Sequence, residues 1–378
     1  MIRKIVFVTG TRADFGKLSS LIDTIEKTDG FECHIFVTGM HTLEKYGSTF
    51  DEVEKKGYKN ITIFHNQTDT NQQDIILAKT ITGFSKFIKQ ISPDMIIVHG
   101  DRVETLAGAI VGSLNNILVS HIEGGEISGT VDELIRHAVT KLSHIHFAAN
   151  NDAKQRLIQL GESKNSIFVI GSPDIEVMTS VELPTIDQVM EHYKIPFKDF
   201  AIFIFHPITT ELDALQQQIS EVISSLIESN KNYIVIYPNN DTGTEIILEE
   251  IKKIENNKKF VIFPSIRFLY FLTMLKNAQF IIGNSSAAVR EAEVFGTPAI
   301  NIGTRQQNRS KNDEIFNVEP RKNLILNVIK QVENKRFKEK SFFGYVDNTT
   351  KRFLDILCNT SVWETSIQKQ FIDIQRFK

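Results

Sequence analysis

Acidic residues follow three apolar segments in the first half of the sequence. Asp101 comes after MIIVHG, Glu123 follows ILVSHI, and Asp132 opens the segment VDELIRHAVTK. Carboxylates gathered in a partly buried site suit proton transfer, because mutual repulsion and burial can raise the pKa of one of them. The simpler interpretation is that Asp101 and Asp132 cap the helices behind them. Three carboxylates at successive chain reversals favour catalysis over capping.

Basic residues accompany these carboxylates. Arg136 lies four residues after Asp132, so the two share a helix face. The segment VTGTRADFGK (8–17) follows the apolar run KIVFV and carries Arg12 and Lys17, a composition that suggests a phosphate-binding loop. Its spacing fits neither the P-loop nor the dinucleotide fingerprint, since the Gly-Lys pair comes one residue late and the third glycine is absent.

A diphosphate site is predicted in the second half, at FIIGNSSAAVREAEVFGTPAINIG (280–303). An apolar strand ends at Gly283, and Ser285 and Ser286 precede a predicted helix whose free N–H groups attract phosphate. Glu291, about two turns into that helix, is placed to accept hydrogen bonds from ribose hydroxyls. The alternative is an ordinary N-cap, for which serine and asparagine are common.

Two further residues complete this predicted nucleotide site. His206 ends the strand AIFIFHP, and it is expected to face the same cleft as Arg12. The loop containing Arg267 is a candidate to hold a base edge through main-chain groups.

Histidines suggest a competing metal site. His99 and Asp101, His121 and Glu123, and His144 and His146 are each two residues apart on a strand, where side chains share a face. No HExxH or comparable compact motif accompanies them, so core histidines are the favoured interpretation and no metal is predicted.

The elements that position these residues alternate between strands and helices. Apolar runs separated by helical patterns such as 15–28, 71–90, 102–115 and 131–143 indicate parallel sheets covered on both faces. We therefore predict an α/β fold with two doubly wound halves, residues 1–172 and 173–358, joined through a proline-containing stretch at 172–200. The predicted strands are 5–9, 33–38, 61–64, 95–100, 117–123, 145–149, 167–171, 201–207, 233–238, 260–263, 280–284 and 298–303.

Composition narrows the functional classes. The 378 residues carry a net charge of -3, so no basic field recruits nucleic acid or an anionic membrane. Two distant cysteines give no disulfide framework. The apolar run at the N-terminus is too short for a signal peptide, and no stretch reaches the ~18 apolar residues of a membrane span. A cytoplasmic protein is expected.

Several motifs together resemble one enzyme family. TGTRADFGK, HGDR, HIEGGEISGTVDELIRHAVTKLSH, FHPITT and GNSSAAVREAEVFGTPAINIGTRQ are similar, in order from about residue 4 to 310, to the hydrolysing UDP-N-acetylglucosamine 2-epimerases of NeuC type. The resemblance implies a GT-B fold, two Rossmann-like domains with the active site in the cleft between them. It also implies that a C-terminal helix, about 359–378, packs back onto the first domain.

The resemblance implies a reaction and a set of roles. UDP-N-acetylglucosamine and water would become N-acetylmannosamine and UDP, through elimination to a glycal, in sialic-acid synthesis. By this resemblance Asp101, Glu123 and Asp132 share the roles of acid, base and water-activating group, and the sequence does not settle which carboxylate takes which role. Arg12, Lys17, His206 and the two serines bind the diphosphate. No cofactor is required, and a homodimer or tetramer is expected.

Other activities remain as alternatives. A related epimerase could act on a 2,4-diacetamido-trideoxy sugar linked to UDP or GDP, in legionaminic-acid synthesis. A glycosyltransferase of the same fold, a metal-dependent phosphoesterase and a non-catalytic nucleotide-sugar sensor are the more distant ones.

Overall fold

The computed structural model describes residues 2–67, 72–180, 182–306, 309, 314–339 and 348–373. The chain forms two compact units. Residues 1–126, 132–180 and 343–378 make the first unit, and residues 127–131 and 181–342 make the second.

The first unit is built on a seven-stranded parallel sheet in the order β3-β2-β1-β4-β5-β6-β7. Its strands are β1 (Arg3–Thr9), β2 (Phe31–Val37), β3 (Ile61–Ile63), β4 (Met95–His99), β5 (Leu118–Ile122), β6 (Ile145–Ala148) and β7 (Ile167–Val169). Its helices are α1 (Arg12–Lys27), α2 (Phe50–Glu54), α3 (Gln73–Ile91), α4 (Val103–Leu114), α5 (Val131–Leu142), α6 (Asn151–Gln159), α7 (Pro173–Ser180), α14 (Thr349–Cys358) and α15 (Thr360–Trp363).

Helices cover both faces of this sheet, as the apolar strands predict. Successive strand residues point to opposite faces. Ile5 and Phe7 of β1 therefore join the core beneath α1 and α14, whereas Val6 and Val8 join the core beneath α3 and α4. A strand buried on both faces has no solvent side, which explains why these segments show no polar alternation.

Helix α1 carries the basic residues of the first loop. The Thr11 side chain accepts a hydrogen bond from the Asp14 amide, so the helix begins at Arg12, three residues before the start expected from the sequence. Its buried residues recur at helical spacing and face the sheet: Phe15, Leu18, Leu21, Ile22 and Ile25. Arg12 and Lys17 consequently belong to the first two turns.

The second unit repeats the plan with six parallel strands in the order β10-β9-β8-β11-β12-β13. Its strands are β8 (Ala201–Ile204), β9 (Tyr233–Ile236), β10 (Phe260–Phe263), β11 (Ile281–Gly283), β12 (Ala299–Ile302) and β13 (Ile315–Val318). Its helices are α8 (Ile186–Tyr193), α9 (Leu212–Glu228), α10 (Thr244–Lys252), α11 (Phe268–Asn277), α12 (Glu291–Val294) and α13 (Lys322–Val332).

Both sheets share the doubly wound strand order, in which the third, second, first and fourth strands lie side by side. The strands stay parallel, but the direction in which successive strands are added to the sheet reverses between β1 and β4 in the first unit and between β8 and β11 in the second. Ligands of such sheets bind beyond the carboxyl ends of the strands at this reversal. The two Rossmann-like halves expected from the sequence are confirmed.

The domain boundaries differ from those expected at residues 172 and 358. Helix α7 belongs to the first unit, and so does α14. The reason is packing, because Phe353 and Leu357 of α14 are buried in the core that contains Ile5 and Phe7. The first unit therefore includes a late segment of the chain that the sequence analysis had assigned to the second.

The C-terminal segment packs on the first unit but is mostly not helical. Only Thr360–Trp363 form a helix, and residues 364–373 lack regular secondary structure. The Trp363 ring lies 6.3 Å from the Phe31 ring, and its indole N–H donates to the Leu357 carbonyl at 2.8 Å. The expected helix over 359–378 is thus limited to one turn within the described residues, and residues 374–378 lie outside them.

No helix among the described residues combines the length and the apolar character needed to cross a membrane.

Candidate active site

Glu123 lies at the centre of the polar cluster in the first unit. It directly follows β5, and its φ of 62° places a non-glycine residue in the left-handed region. Such conformations are uncommon and concentrate at functional sites. The side chain is only 3% exposed, and Glu123 Oε2 lies 3.2 Å from His99 Nε2. Its other oxygen, Oε1, accepts a hydrogen bond from Ser172 Oγ at 2.7 Å.

Arg136 joins the Asp101 carboxylate to the backbone of Glu123. This buried guanidinium donates through Nη1 to the Glu123 carbonyl oxygen at 2.5 Å and pairs through Nη2 with the Asp101 carboxylate. Helix α4 has Arg102 as its N-cap, and the Arg102 side chain makes no capping hydrogen bond. The Asp101 carboxylate, one residue before this N-cap, is paired with Arg136.

Asp132 lies in the first turn of α5, one turn before Arg136. Its side chain is half-buried. The structure therefore brings Asp101, Glu123 and Arg136 into direct contact and places Asp132 on the helix that supplies the arginine.

His99 is clamped between two carboxylates. Its Nδ1 lies 2.6 Å from Asp14 Oδ1, and its Nε2 faces Glu123. Burial lowers the pKa of His99, but the charge of Glu123 and the hydrogen bonds to Asp14 and Glu123 outweigh it and raise the pKa to about 9. At neutral pH His99 is therefore a cation at the point between β1 and β4 where the strand order reverses.

The two basic residues of the first loop each form an ion pair inside the first unit. Lys17 Nζ lies 2.9 Å from Asp174 Oδ2, and Arg12 Nη2 lies 3.0 Å from Glu52 Oε1. Asp174 is fully buried and also contacts the Ser172 hydroxyl. Lys17 thus belongs to the same chain of contacts as Glu123, which the sequence did not predict.

In the second unit, hydrogen bonds fix both the backbone and the ring of His206. The Asn284 amide accepts from the His206 N–H at 2.6 Å and donates to the His206 carbonyl at 2.8 Å. The Asn239 N–H donates to His206 Nδ1 at 2.9 Å. Because Nδ1 is an acceptor, the neutral ring carries its proton on Nε2. His206 is thereby oriented as a hydrogen-bond donor at the reversal between β8 and β11.

The predicted diphosphate segment differs from expectation. Ser285 Oγ accepts from the Ala287 N–H at 3.3 Å and caps a short 3-10 turn, Ser286–Ala288. The following helix, α12, has four residues and begins only at Glu291. The helix expected directly after Ser286 is therefore wrong, because a 3-10 turn takes its place. The four-residue α12 also has too few aligned peptide dipoles to attract phosphate strongly.

Glycine is required at Gly283, where β11 ends. The φ there is 138°, and a Cβ atom would lie 1.8 Å from the Ile204 carbonyl oxygen. This close approach of β8 and β11 sets His206 beside Asn284.

Arg267 is the N-cap of α11, and its own main-chain groups are engaged. Its N–H donates to the Tyr193 hydroxyl at 3.0 Å, and its carbonyl accepts from the Phe271 N–H. Its guanidinium lies over the Tyr270 ring at 5.7 Å. A main-chain contact to a nucleotide base would therefore come from its neighbours in the loop.

The remaining paired histidines are structural. His121 Nε2–H donates to the Gly100 carbonyl, and Nδ1 accepts from the Thr140 hydroxyl. Burial lowers the pKa of His121 to about 3. His144 contacts the Ile367 carbonyl, and His146 contacts Glu162 at 2.9 Å. Among the described residues, no group of three or more histidine, cysteine or acidic side chains has the geometry of a metal site.

Sequence reasoning gives no catalytic or binding role to several members of these clusters: Asp14, Ser172, Asp174, Asn239 and Asn284. Their position in the sequence could have identified them as candidates, because each lies within a few residues of a strand end. The stretch that begins at Ser172 was instead assigned to an inter-domain link on account of its prolines.

Comparison with known proteins identifies the family. A family model described as UDP-N-acetylglucosamine 2-epimerase matches residues 23–358. The UDP-N-acetylglucosamine 2-epimerase of Neisseria meningitidis serogroup B is 46% identical over 99% of this chain and 100% of its own length. A hydrolysing UDP-N,N'-diacetylbacillosamine 2-epimerase of Legionella pneumophila is 35% identical over 91% of this chain and 93% of its own.

Solved structures agree at the level of the fold. The Methanocaldococcus jannaschii UDP-GlcNAc 2-epimerase in complex with UDP-GlcNAc and UDP aligns with a TM-score of 0.77 at 24% identity, over 94% of this chain and 99% of that one. The fold class, α/β of the GT-B type with two Rossmann-like units, is thereby confirmed. Together with the family match over most of its length, this shows that the chain belongs to the UDP-N-acetylglucosamine 2-epimerase family and is a nucleotide-sugar 2-epimerase.

Proposed function

We propose that this enzyme is a hydrolysing 2-epimerase that converts UDP-N-acetylglucosamine and water into N-acetylmannosamine and UDP for sialic-acid synthesis. The observation that carries the proposal is the pair of contacts made by Arg136, which hold the Asp101 carboxylate beside the backbone of Glu123. A buried arginine between two acidic residues fixes them as a preorganised acid–base pair.

The reaction needs proton transfer because the C2–H bond is not acidic by itself. When the C1–O bond to UDP breaks, its electrons leave with the diphosphate and the ring becomes cationic. A carboxylate then removes the C2 proton and a glycal forms. Water adds its oxygen at C1, while C2 receives a proton on the opposite face. We assign these proton transfers to Asp101, Glu123 and Asp132.

Diphosphate departure requires hydrogen-bond donors and positive charge. His206 meets this requirement in the second unit, since its Nε2–H is directed by the Asn239 contact at Nδ1. We also assign Ser285, Ser286, Gly283 and Glu291 to the nucleotide, with Arg12 and Lys17 from the first unit and residues near Arg267. None of these roles needs a metal or a redox cofactor.

The similar proteins support a hydrolysing reaction and bear on the substrate. The Legionella relative is described as hydrolysing, and a polysialic acid biosynthesis protein of Escherichia coli is 33% identical over 89% of this chain. The relative at 46% identity is a UDP-N-acetylglucosamine 2-epimerase, which favours that sugar over the diacetamido sugars. A 2,4-diacetamido-trideoxy sugar nucleotide, linked to UDP or GDP, is the second candidate.

Proton NMR in deuterated water tests the proposal. Incubation with UDP-N-acetylglucosamine and a chelator should yield UDP and free N-acetylmannosamine with deuterium at C2. UDP-N-acetylmannosamine without free sugar would show epimerisation without hydrolysis and overturn the hydrolysing assignment. If UDP-N-acetylglucosamine is inert, UDP- and GDP-linked diacetamido sugars are tested next, and turnover of either replaces the substrate named here. Inertness toward all three would overturn the proposed reaction.

A further inference from the structure

One buried hydroxyl group lies between two buried carboxylates in the first unit. Ser172 Oγ is 2.7 Å from Glu123 Oε1 and also contacts Asp174 Oδ1. The exposed fractions of Ser172, Asp174 and Glu123 are 1%, 0% and 3%. The three side chains come from the end of β5 and from the turn into α7.

A serine hydroxyl carries a single proton and can donate it to only one of the two carboxylates. If both carboxylates were ionised, the second contact would bring together two oxygen atoms with no hydrogen between them. Such a contact is strongly unfavourable in a buried site, where water does not screen it. One additional proton on the set removes the conflict, because every contact then has a hydrogen.

The surrounding charges agree with one extra proton. The chain of contacts runs from Asp14 through His99, Glu123, Ser172 and Asp174 to Lys17. Counted over these six residues alone, three carboxylates face two cations, so one proton brings their sum to neutrality. Arg136 and Asp101, which flank Glu123, balance each other. Buried charge is tolerated where it is paired in this way.

We propose that Glu123 and Asp174 share one proton through the Ser172 hydroxyl, and that Ser172 and Asp174 are positioning residues that set the protonation state of Glu123. With the proton on Asp174, Glu123 is a base. With the proton on Glu123, the same carboxyl group is an acid.

The transfer is balanced in atoms and charge. Asp174 gives its proton to Ser172 Oγ while Ser172 gives its own proton to Glu123 Oε1. One O–H bond breaks and one forms at the serine, and the negative charge passes from Glu123 to Asp174. Lys17, at 2.9 Å from Asp174, and His99, at 3.2 Å from Glu123, stabilise the negative charge at either end. The catalytic part of this inference rests on the proposed function, whereas the shared proton does not.

Infrared difference spectroscopy tests the shared proton without substrate. At neutral pH the wild-type protein should show the C=O band of a protonated carboxyl group, with the usual shift in deuterated water. The band should vanish in Asp174→Asn and in Glu123→Gln, because an amide supplies the missing hydrogen and the remaining carboxylate ionises. Glu162→Gln, which changes another buried carboxylate of the same unit, should retain it.

Kinetics test whether the relay serves the reaction. Ser172→Ala should lower kcat by about 10- to 100-fold with KM changed by less than about threefold, since a relay acts on proton transfer rather than binding. Asp174→Asn should also displace the pH profile of kcat. Ser172→Thr keeps the hydroxyl and should restore most of the activity. Ser143→Ala is the matched control, because Ser143 is equally buried and its hydroxyl donates to the Val139 carbonyl of α5.

The outcomes separate the two proposals. Absence of the carboxyl band from the wild-type protein, or its persistence in both Asp174→Asn and Glu123→Gln, would overturn the shared proton whatever the enzyme's substrate. The catalytic role would be overturned if the carboxyl band behaves as expected but Ser172→Ala leaves kcat unchanged and Asp174→Asn leaves the pH profile of kcat unchanged. If no nucleotide sugar is turned over, the proposed function fails while the infrared result still decides the proton.

Discussion

At the scale of single residues, Asp101 gives the sharpest test of the carboxylate assignment. Asp101→Asn keeps the shape of the side chain and its contact with Arg136 but removes the charge. We expect kcat to fall by about two to four powers of ten, the usual contribution of a general acid or base. Deuterium incorporation at C2 should fall in parallel.

The matched control is Asp94→Asn. Asp94 also pairs with an arginine, Arg3, at 3.0 Å, but it lies at the opposite, amino end of β4. Its replacement should leave kcat unchanged. A loss of less than about tenfold in Asp101→Asn would remove Asp101 from the acid–base machinery.

Asn284 offers a second residue-scale prediction, in the second unit. Asn284→Ala removes both hydrogen bonds to the His206 backbone and should raise the KM for the nucleotide sugar and the inhibition constant of UDP by about tenfold. Asn301→Ala is the control, since Asn301 is equally buried on the neighbouring strand and pairs with Asn317. Equal losses of UDP affinity in the two variants would mean that Asn284 acts only through stability.

How far the sequence predicts the site depends on what positions each residue. Glu123 and Asp101 were found because they directly follow apolar strands. Ser172 and Asp174 were not, because their significance comes from the approach of α7 to the end of β5, and prolines in that stretch resemble a linker. Local sequence shows which residue ends a strand, but not which side chain from elsewhere meets it.

At the scale of elements, the apolar runs predicted every strand of the described residues except β13. In Ile315–Val318 the exposed Asn317 interrupts a short apolar run, so this segment lacks the signal of a buried strand. A helix was expected directly after Ser286, but Ser285 caps a 3-10 turn there and α12 begins only at Glu291. Turns of this kind depend on a few local hydrogen bonds, which hydrophobic periodicity does not report.

The C-terminal segment shows how one side chain holds a stretch without secondary structure. Lys369 Nζ contacts the carbonyl oxygens of Thr140, Lys141 and Ser143 and lies 2.6 Å from Glu162 Oε2. Burial raises the pKa of Glu162, but hydrogen bonds from His146, Lys141 and Lys369 outweigh it and lower the pKa to about 2. Glu162 therefore stays ionised at neutral pH and can pair with Lys369.

Replacing that lysine should release the segment. Lys369→Met removes these contacts and should cost about 1 to 3 kcal/mol of stability, the range for hydrogen bonds to charged groups. Hydrogen exchange of residues 364–373 should accelerate. Lys141→Met removes a more exposed partner of Glu162 and should have a smaller effect. Unchanged exchange in Lys369→Met would show that apolar contacts hold the segment.

At the scale of the whole molecule, the two units follow the same folding plan, but different polar clusters lie where the strand order reverses. In the first unit Asp14 meets His99 there, and in the second His206 meets Asn284. The first pair joins a carboxylate to a histidine whose pKa is raised, so the stability of the first unit should depend on pH.

The sign of that dependence follows from His99. Its pKa of about 9 in the folded protein lies above the value of 6.5 for an unperturbed histidine. The folded state therefore binds the proton more tightly, and the stabilisation is complete below about pH 6.5 and is lost as the pH rises through 9. At 1.4 kcal/mol for each pKa unit, the loss is on the order of 3 kcal/mol.

Trp363 makes this loss measurable for the first unit, because it is the single tryptophan of the chain and packs against Phe31. Urea unfolding followed by its fluorescence should show stability that declines between pH 6.5 and 9. His99→Gln should abolish this decline, whereas His137→Gln, a half-exposed histidine of the same unit, should retain it. An identical decline in His99→Gln would place its origin in another titrating group and would mean that His99 is not held as a cation between Asp14 and Glu123.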